Sequence, residues 1–168
     1  MSKNIIIPLL LLFAFALWGC PYESEVPVDE PGIRINEEWF GLWKRTGEEK
    51  SYASLSKYKP ADTLSYRLVY NSWTSEHRSY EVKMFKAFLS KVDDTYFMNI
   101  QPEMKMGGNY FLFGISCNAN VDTIRLRPVN EENAPKFTDS ASLREWIKKQ
   151  LVRKNFFDTE ELFVREKQ

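Results

Sequence analysis

Hydrophobic and polar positions along this chain follow three different periods. Residues 5–17 are apolar, broken only by Pro8. From Trp39 to Arg127 apolar residues come in short runs that alternate with polar ones, the period of a half-buried strand. The clearest case is Leu64, Tyr66, Leu68 and Tyr70, set between Ser65, Arg67, Val69 and Asn71. Trp39 to Thr46 and Tyr52 to Tyr58 predict two earlier strands, the second anchored by Leu55. Asn71 to Ser79 reads as a polar turn. Tyr80 to Val92 is a long strand whose alternation changes phase near Met84-Phe85, which predicts a bulge or burial on both faces. Asp93-Asp94 turns it into Tyr96, Met98 and Ile100 as a hairpin. Tyr110 to Cys117 and Val121 to Arg127 form another pair around Asn118-Ala119-Asn120, and Pro128 ends it. Then the period becomes helical: Leu143, Trp146, Ile147, Gln150 and Leu151 share one face. Asp139 or Ser140 can cap this helix, and Lys148, Lys149, Arg153 and Lys154 suit the dipole at its far end. A short strand, Leu162 to Glu166, ends the chain.

Seven or eight short antiparallel strands, a helix and one more strand predict a mainly β fold, a closed sheet with the helix packed outside. Closure removes the open edges that so aromatic a chain would otherwise present. A barrel of about eight strands holds one small ligand or is filled by its own side chains. The inward candidates are Leu64, Tyr66, Leu68, Tyr96, Met98, Phe111 and Phe113, with Tyr66 and Tyr96 offering polar ends inside an apolar cup.

Gly41-Leu42-Trp43, at the head of the first long strand, resembles the Gly-x-Trp that opens lipocalin barrels. The C-terminal helix and short final strand are in the same pattern. The resemblance implies a lipocalin-like barrel of about eight strands, with an arginine packed across Trp43 to close one end. Arg165 and Arg127 are both candidates for that arginine. The stretch from Trp39 to Arg165 also resembles small uncharacterised lipoproteins of gram-negative bacteria, which carry Gly-x-Trp and a late Phe-Thr before a Leu-Arg helix. Here these are Phe137-Thr138 and Leu143-Arg144-Glu145-Trp146.

The N-terminal apolar run follows Lys3 and is too short to span a bilayer as a stable helix, which fits a signal peptide. Its end, Leu17-Trp18-Gly19-Cys20, resembles a bacterial lipobox, with Trp18 where a small residue is usual. The resemblance implies that Cys20 is acylated and becomes the mature N-terminus. Cleavage after Ala14-Phe15-Ala16 is the alternative; it would cut into the apolar run and leave Cys20 without a role. Residues 20–32 hold three prolines, four acids and no base, the composition of a tether. Extended at about 3.3 Å per residue, it would reach roughly 40 Å. Its acids resemble the surface-export signal of some gram-negative lipoproteins, and equally read as a solvated spacer. The expected organisation is therefore signal 1–19, tether 20–32 and barrel domain 33–168. The expected location is the bacterial cell envelope, at the outer membrane, held by the acyl anchor.

Composition narrows the function. The 23 basic and 23 acidic side chains balance, which gives no footprint for nucleic acid. With Cys20 consumed by lipid, Cys117 stands alone, with no internal disulfide, and reads as a small core residue. His77 lies between Glu76 and Arg78 in a polar turn, too little for a metal site. No Cys-x-x-Cys, Gly-x-Ser-x-Gly or phosphate loop is present. The expectation is thus a protein without catalytic residues, metal or cofactor. It binds a small apolar or amphipathic ligand, or it acts as a protein-interaction module with a filled barrel.

Acylation needs the thiol, so Cys20→Ser is expected to leave the chain unprocessed or outside the membrane fraction. Normal processing and membrane fractionation of that variant would contradict the lipobox assignment.

Overall fold

The structure, a computed structural model, describes residues 22–48, 50–105, 108–130 and 134–166. Cys20 and the signal segment lie outside the described residues. Nine strands form: β1 (Glu23–Ser24), β2 (Gly41–Arg45), β3 (Tyr52–Lys57), β4 (Tyr66–Thr74), β5 (Ser79–Val92), β6 (Thr95–Pro102), β7 (Tyr110–Cys117), β8 (Thr123–Pro128) and β9 (Glu161–Arg165). One helix, α1 (Ser140–Gln150), precedes β9. The sheet order is β1-β7-β6-β5-β4-β3-β2-β9-β8, and β7 also pairs with β8. That last pairing closes eight antiparallel strands into a barrel and leaves β1 outside it.

Antiparallel pairing gives the barrel two distinct ends. Strands β2, β4, β6 and β8 start at one end, and β3, β5, β7 and β9 start at the other. The first end is closed by the short 3-10 turn Glu37–Trp39, which Asn36 caps by accepting the Glu38 N–H at 3.0 Å. The second end is open.

β5 keeps one register with β4 from Ser79 to Ala87, so no bulge occurs. The apparent change of phase comes instead from burial. Val82 and Met84 are exposed, whereas Ala87, Phe88, Leu89 and Ser90 are all buried. From Ala87 onward the strand is covered inside by the barrel core and outside by a second core. β6 behaves alike, with Met98 and Ile100 in the inner cluster and Phe97 in the outer one. The β4–β5 turn is shorter than expected, because β4 runs on to Thr74. There Trp73 and Tyr80 pair across the strands with ring centroids 5.1 Å apart, a contact that favours the longer ladder.

The outer core is built by α1. Asp139 is its N-cap and accepts the Ser142 N–H at 2.8 Å; that backbone bond holds its carboxyl below the usual range. Leu143 and Ile147 are fully buried against Val92, Phe97 and Leu112. Each such side chain stabilises by about 1.5–3 kcal/mol. Phe157 reaches the sheet only because residue 114 is glycine: a Cβ there would lie 2.6 Å from the ring.

The stretch expected as a tether is docked on this same face from Tyr22 onward. Tyr22, Ser24 and Val28 are buried, and β1 pairs with the start of β7. β8 pairs with β7 only from Phe113 onward, so the upper edge of β7 would otherwise be unpaired. Residues 22–24 fill that edge, with Leu112 N–H donating to the Tyr22 carbonyl at 3.3 Å. Asn99 then holds the strap: its Oδ1 accepts the Val28 N–H at 2.8 Å while its Nδ2 donates to Ser90 Oγ at 2.9 Å. Asp29 pairs with Arg144 of α1. The folded body therefore begins by Tyr22, ahead of Ile33. Proline keeps the segment from extending as a longer strand.

A carboxylate at position 147 would be buried without a partner. Ile147→Asp should cost several kcal/mol in urea unfolding. Lys148→Asp, on the exposed side of the helix, should stay within about 0.5 kcal/mol of the parent. Equal stabilities would show that α1 is not docked through Leu143 and Ile147.

Candidate functional site

The closed end is organised by Gly41, Trp43 and Arg165. Trp43 is buried, and its indole N–H donates to the Trp39 carbonyl at 3.0 Å. The Arg165 guanidinium lies 4.5 Å over the Trp43 ring. It also donates to the carbonyls of Val121 and Phe40 at 2.9 Å each and to that of Glu38. One cation thus satisfies three carbonyls of the plug while stacking on its tryptophan. Gly41 has φ +137°, which side chains rarely adopt, and a Cβ there would meet Arg165 Nη1 at 3.1 Å. Of the two candidate arginines, Arg165 is the one on Trp43; Arg127 lies over Phe157, 4.3 Å from its ring centroid.

Tyr66 belongs to this plug. It is fully buried, accepts the Asn36 N–H at 2.7 Å and stacks on Trp39. Burial pushes its phenol up to about 12, against the opposing bond from Asn36. It therefore braces the floor and does not line the cavity above.

Above Trp43 the barrel holds a cavity of about 630 Å³, open at its upper end. Leu68, Met98, Phe111 and Phe113 line it, as their alternation predicts. Tyr96 does not. It shares the Met98 side of β6 but sits at the start of the strand, 41% exposed, in a separate depression of about 410 Å³ beside Trp39 and Val121. Leu64 precedes β4 and is not on the wall either. Small residues keep the interior open: Ala53 stands opposite Trp43 on β3, in a wall otherwise of large side chains.

Polar groups gather at the mouth. Arg45, two residues past Trp43, points inward and pairs with Glu48 at 2.8 Å and with Glu161 at 3.3 Å. The Tyr70 hydroxyl is 3.5 Å from the other Glu48 oxygen. Burial raises the Glu161 carboxyl, with Arg45 pulling the other way. Burial opposes the charge on Arg45, but Tyr70 and the carboxylates of Glu161 and Glu48 outweigh it and the group is held up. The sequence reading missed Arg45 and Glu161. Their spacing from Trp43 and Arg165, two and four residues, is the signal that puts them inside. The floor and lower wall, from Trp43 and Leu55 to Ile115 and Phe163, are apolar.

Cys117 packs against the inner core, partly buried, and burial pushes its thiol up. His77 is exposed at the tip of the β4–β5 turn. Among the described residues no three His, Cys, Asp or Glu side chains converge. No family model, curated protein or solved structure matches the chain.

Truncating a buried tryptophan costs about 3–5 kcal/mol. Trp43→Ala should lower the unfolding free energy by that amount, whereas Trp73→Ala, at the partly exposed hairpin, should cost about 1 kcal/mol or less. Equal small losses would remove Trp43 from its structural role.

Proposed function

We propose that this protein is a lipid-anchored lipoprotein of the bacterial cell envelope whose lipocalin-like barrel binds a small apolar or amphipathic molecule. The observation that carries the binding reading is the cavity. Its volume of about 630 Å³ lies within the range of ligand sites, and its wall is mostly apolar with a few convergent polar groups. The segregation of those groups favours one orientation. An apolar tail enters first and rests on Trp43, and a polar group stays at the mouth beside Arg45, Tyr70 and Glu161. Because Glu48 and Glu161 already answer Arg45, a neutral or cationic head is favoured over a carboxylate. The anchor reading is supported by Leu17-Trp18-Gly19-Cys20.

A second reading, a protein-interaction module, is favoured by the edge of β5. Pairing with β6 begins only at Phe85, so Ser79 to Met84 have a partner on one side alone, and Tyr80, Val82 and Met84 are exposed there. Such an edge can accept a strand from another chain.

Titration with the neutral probe N-phenyl-1-naphthylamine separates the two. The chain should bind it saturably, and Leu68→Trp, which fills the cavity, should weaken binding at least about tenfold while remaining folded, roughly 1.4 kcal/mol. Lack of saturable binding, or equal binding by the variant, rejects the cavity as the site.

A further inference from the structure

Helix α1 runs from the closed end of the barrel toward the open one. Near its start Arg144 donates to the Lys91 carbonyl, beside the Asp93-Asp94 turn. Beyond its end Phe157 bridges to Val129, just past the finish of β8 at the open end. The segment after the helix therefore returns to the open end by Phe157, and the last turn of the helix leads into it. Lys148, Lys149, Arg153 and Lys154 are exposed there, and no acid occurs between Glu145 and Asp158. Several cations elsewhere on the surface are paired, as in Lys44 with Glu166, Lys57 with Glu37 and Arg125 with Glu160, and those left unpaired elsewhere are not gathered into one acid-free run of this kind. Among the described residues none of these four makes an ion pair.

Val152 stands in the middle of this cluster, 87% exposed. Met104 follows β6 at the same open end, lines the cavity mouth and is 94% exposed. They are the two most exposed large apolar side chains among the described residues. Apolar side chains offered to solvent among unpaired cations fit a surface with an apolar interior beneath anionic phosphates. An acidic protein would match the cations but gives Val152 and Met104 no equivalent layer to enter. The N-terminal strap adds an independent observation. The Tyr22 ring packs on Trp146 of α1, centroids 5.9 Å apart, one turn before Lys149 and Gln150. The chain upstream of Tyr22, with its apolar run and Cys20, thus joins the body beside the basic cluster.

We infer that the open end of the barrel lies against an anionic phospholipid surface, through Val152, Met104 and the four cations. The mouth then opens at the bilayer, and an amphipathic ligand passes between lipid and cavity without crossing water. This deepens the anchored-carrier reading and rests on it. A polybasic face beside a lipid anchor adds electrostatic attraction to anionic lipid and sets which side of the domain meets the bilayer.

The test uses the full chain reconstituted into vesicles of phosphatidylcholine alone or mixed with phosphatidylglycerol. Flotation reports attachment. Acetylation of lysines by a water-soluble reagent and peroxide oxidation of Met104, both read by peptide mass spectrometry, report the face. Phosphatidylglycerol should slow labelling of Lys148, Lys149, Lys154 and Met104 several-fold, with Lys59, at the closed end, unchanged. The chain carrying K148E, K149E, R153E and K154E should float on both vesicles, and its Met104 should oxidise at one rate on each. Flotation on both with equal labelling of the parent overturns the docking face and leaves the anchor standing. Flotation only on vesicles with phosphatidylglycerol keeps the face and removes the anchor. Flotation on neither overturns both.

Discussion

Without β9, strands β2 and β8 would each present an open edge of unpaired N–H and C=O groups. Glu161 to Arg165 satisfy both at once, pairing with β2 through Trp43 to Arg45 and with β8 through Thr123 to Leu126. The strand comes long after β8 in the chain, so closure waits for the helix and the loops around it to be placed. Its inward residues do the rest. Arg165 reaches Trp43 and ties the plug, Phe163 joins the inner core, and Glu161 meets Arg45 at the mouth. Floor, wall and gate of the cavity thus share one element, and its register sets all three. A slip of one residue would turn Arg165, Phe163 and Glu161 outward together.

The barrel is covered on one side only. Over β6, β7 and the part of β5 from Ala87 onward the strap and α1 add a second apolar layer, so the middle of the sheet there is covered on both faces. On the other side Lys44, Arg67 and Arg125 face water. The apolar face is inside the barrel, the inverse of strands that cross a bilayer. Asn99 is buried in the outer layer beside Ser90, and its oxygen and its amide both find partners. Replacing it by an apolar residue would leave the Val28 N–H without a partner, at about 1–3 kcal/mol.

Strand periods and the helical face were legible because each element meets solvent on one side or has a strong end signal. α1 needs only its apolar stripe and Asp139; the β5–β6 turn needs only Asp93-Asp94. Gly41 and Trp43 were legible through their pairing, although the choice of Arg165 over Arg127 required the fold. The strap was hidden by composition. Three prolines and four acids outweighed Tyr22, Ser24 and Val28, whose spacing of two and four residues is that of one buried strand face. Tyr96 has the right parity but the wrong height, and alternation carries no information on depth. The mouth cluster failed for a related reason: Arg45 and Glu161 read as surface charges until both neighbouring strands are given a direction.

A cavity of this size works against folding. Side chains around a void lose the dispersion contacts a filled core would give them, and stability falls with the volume left empty. The inner barrel forgoes part of those contacts where Leu68, Phe111 and Phe113 face open space. The outer layer adds contacts of its own. Leu143, Ile147, Phe97, Leu112 and Val28 are buried and line neither cavity, and Phe157 is seated directly on Gly114. Stabilisation from this outer flank offsets what the open interior forgoes. Any molecule that fills it restores the missing contacts and stabilises the folded state in proportion to its occupancy. The same flank carries the strap and the basic end of α1. On the proposed docking, the elements that offset an open interior are also those that set which way its mouth faces.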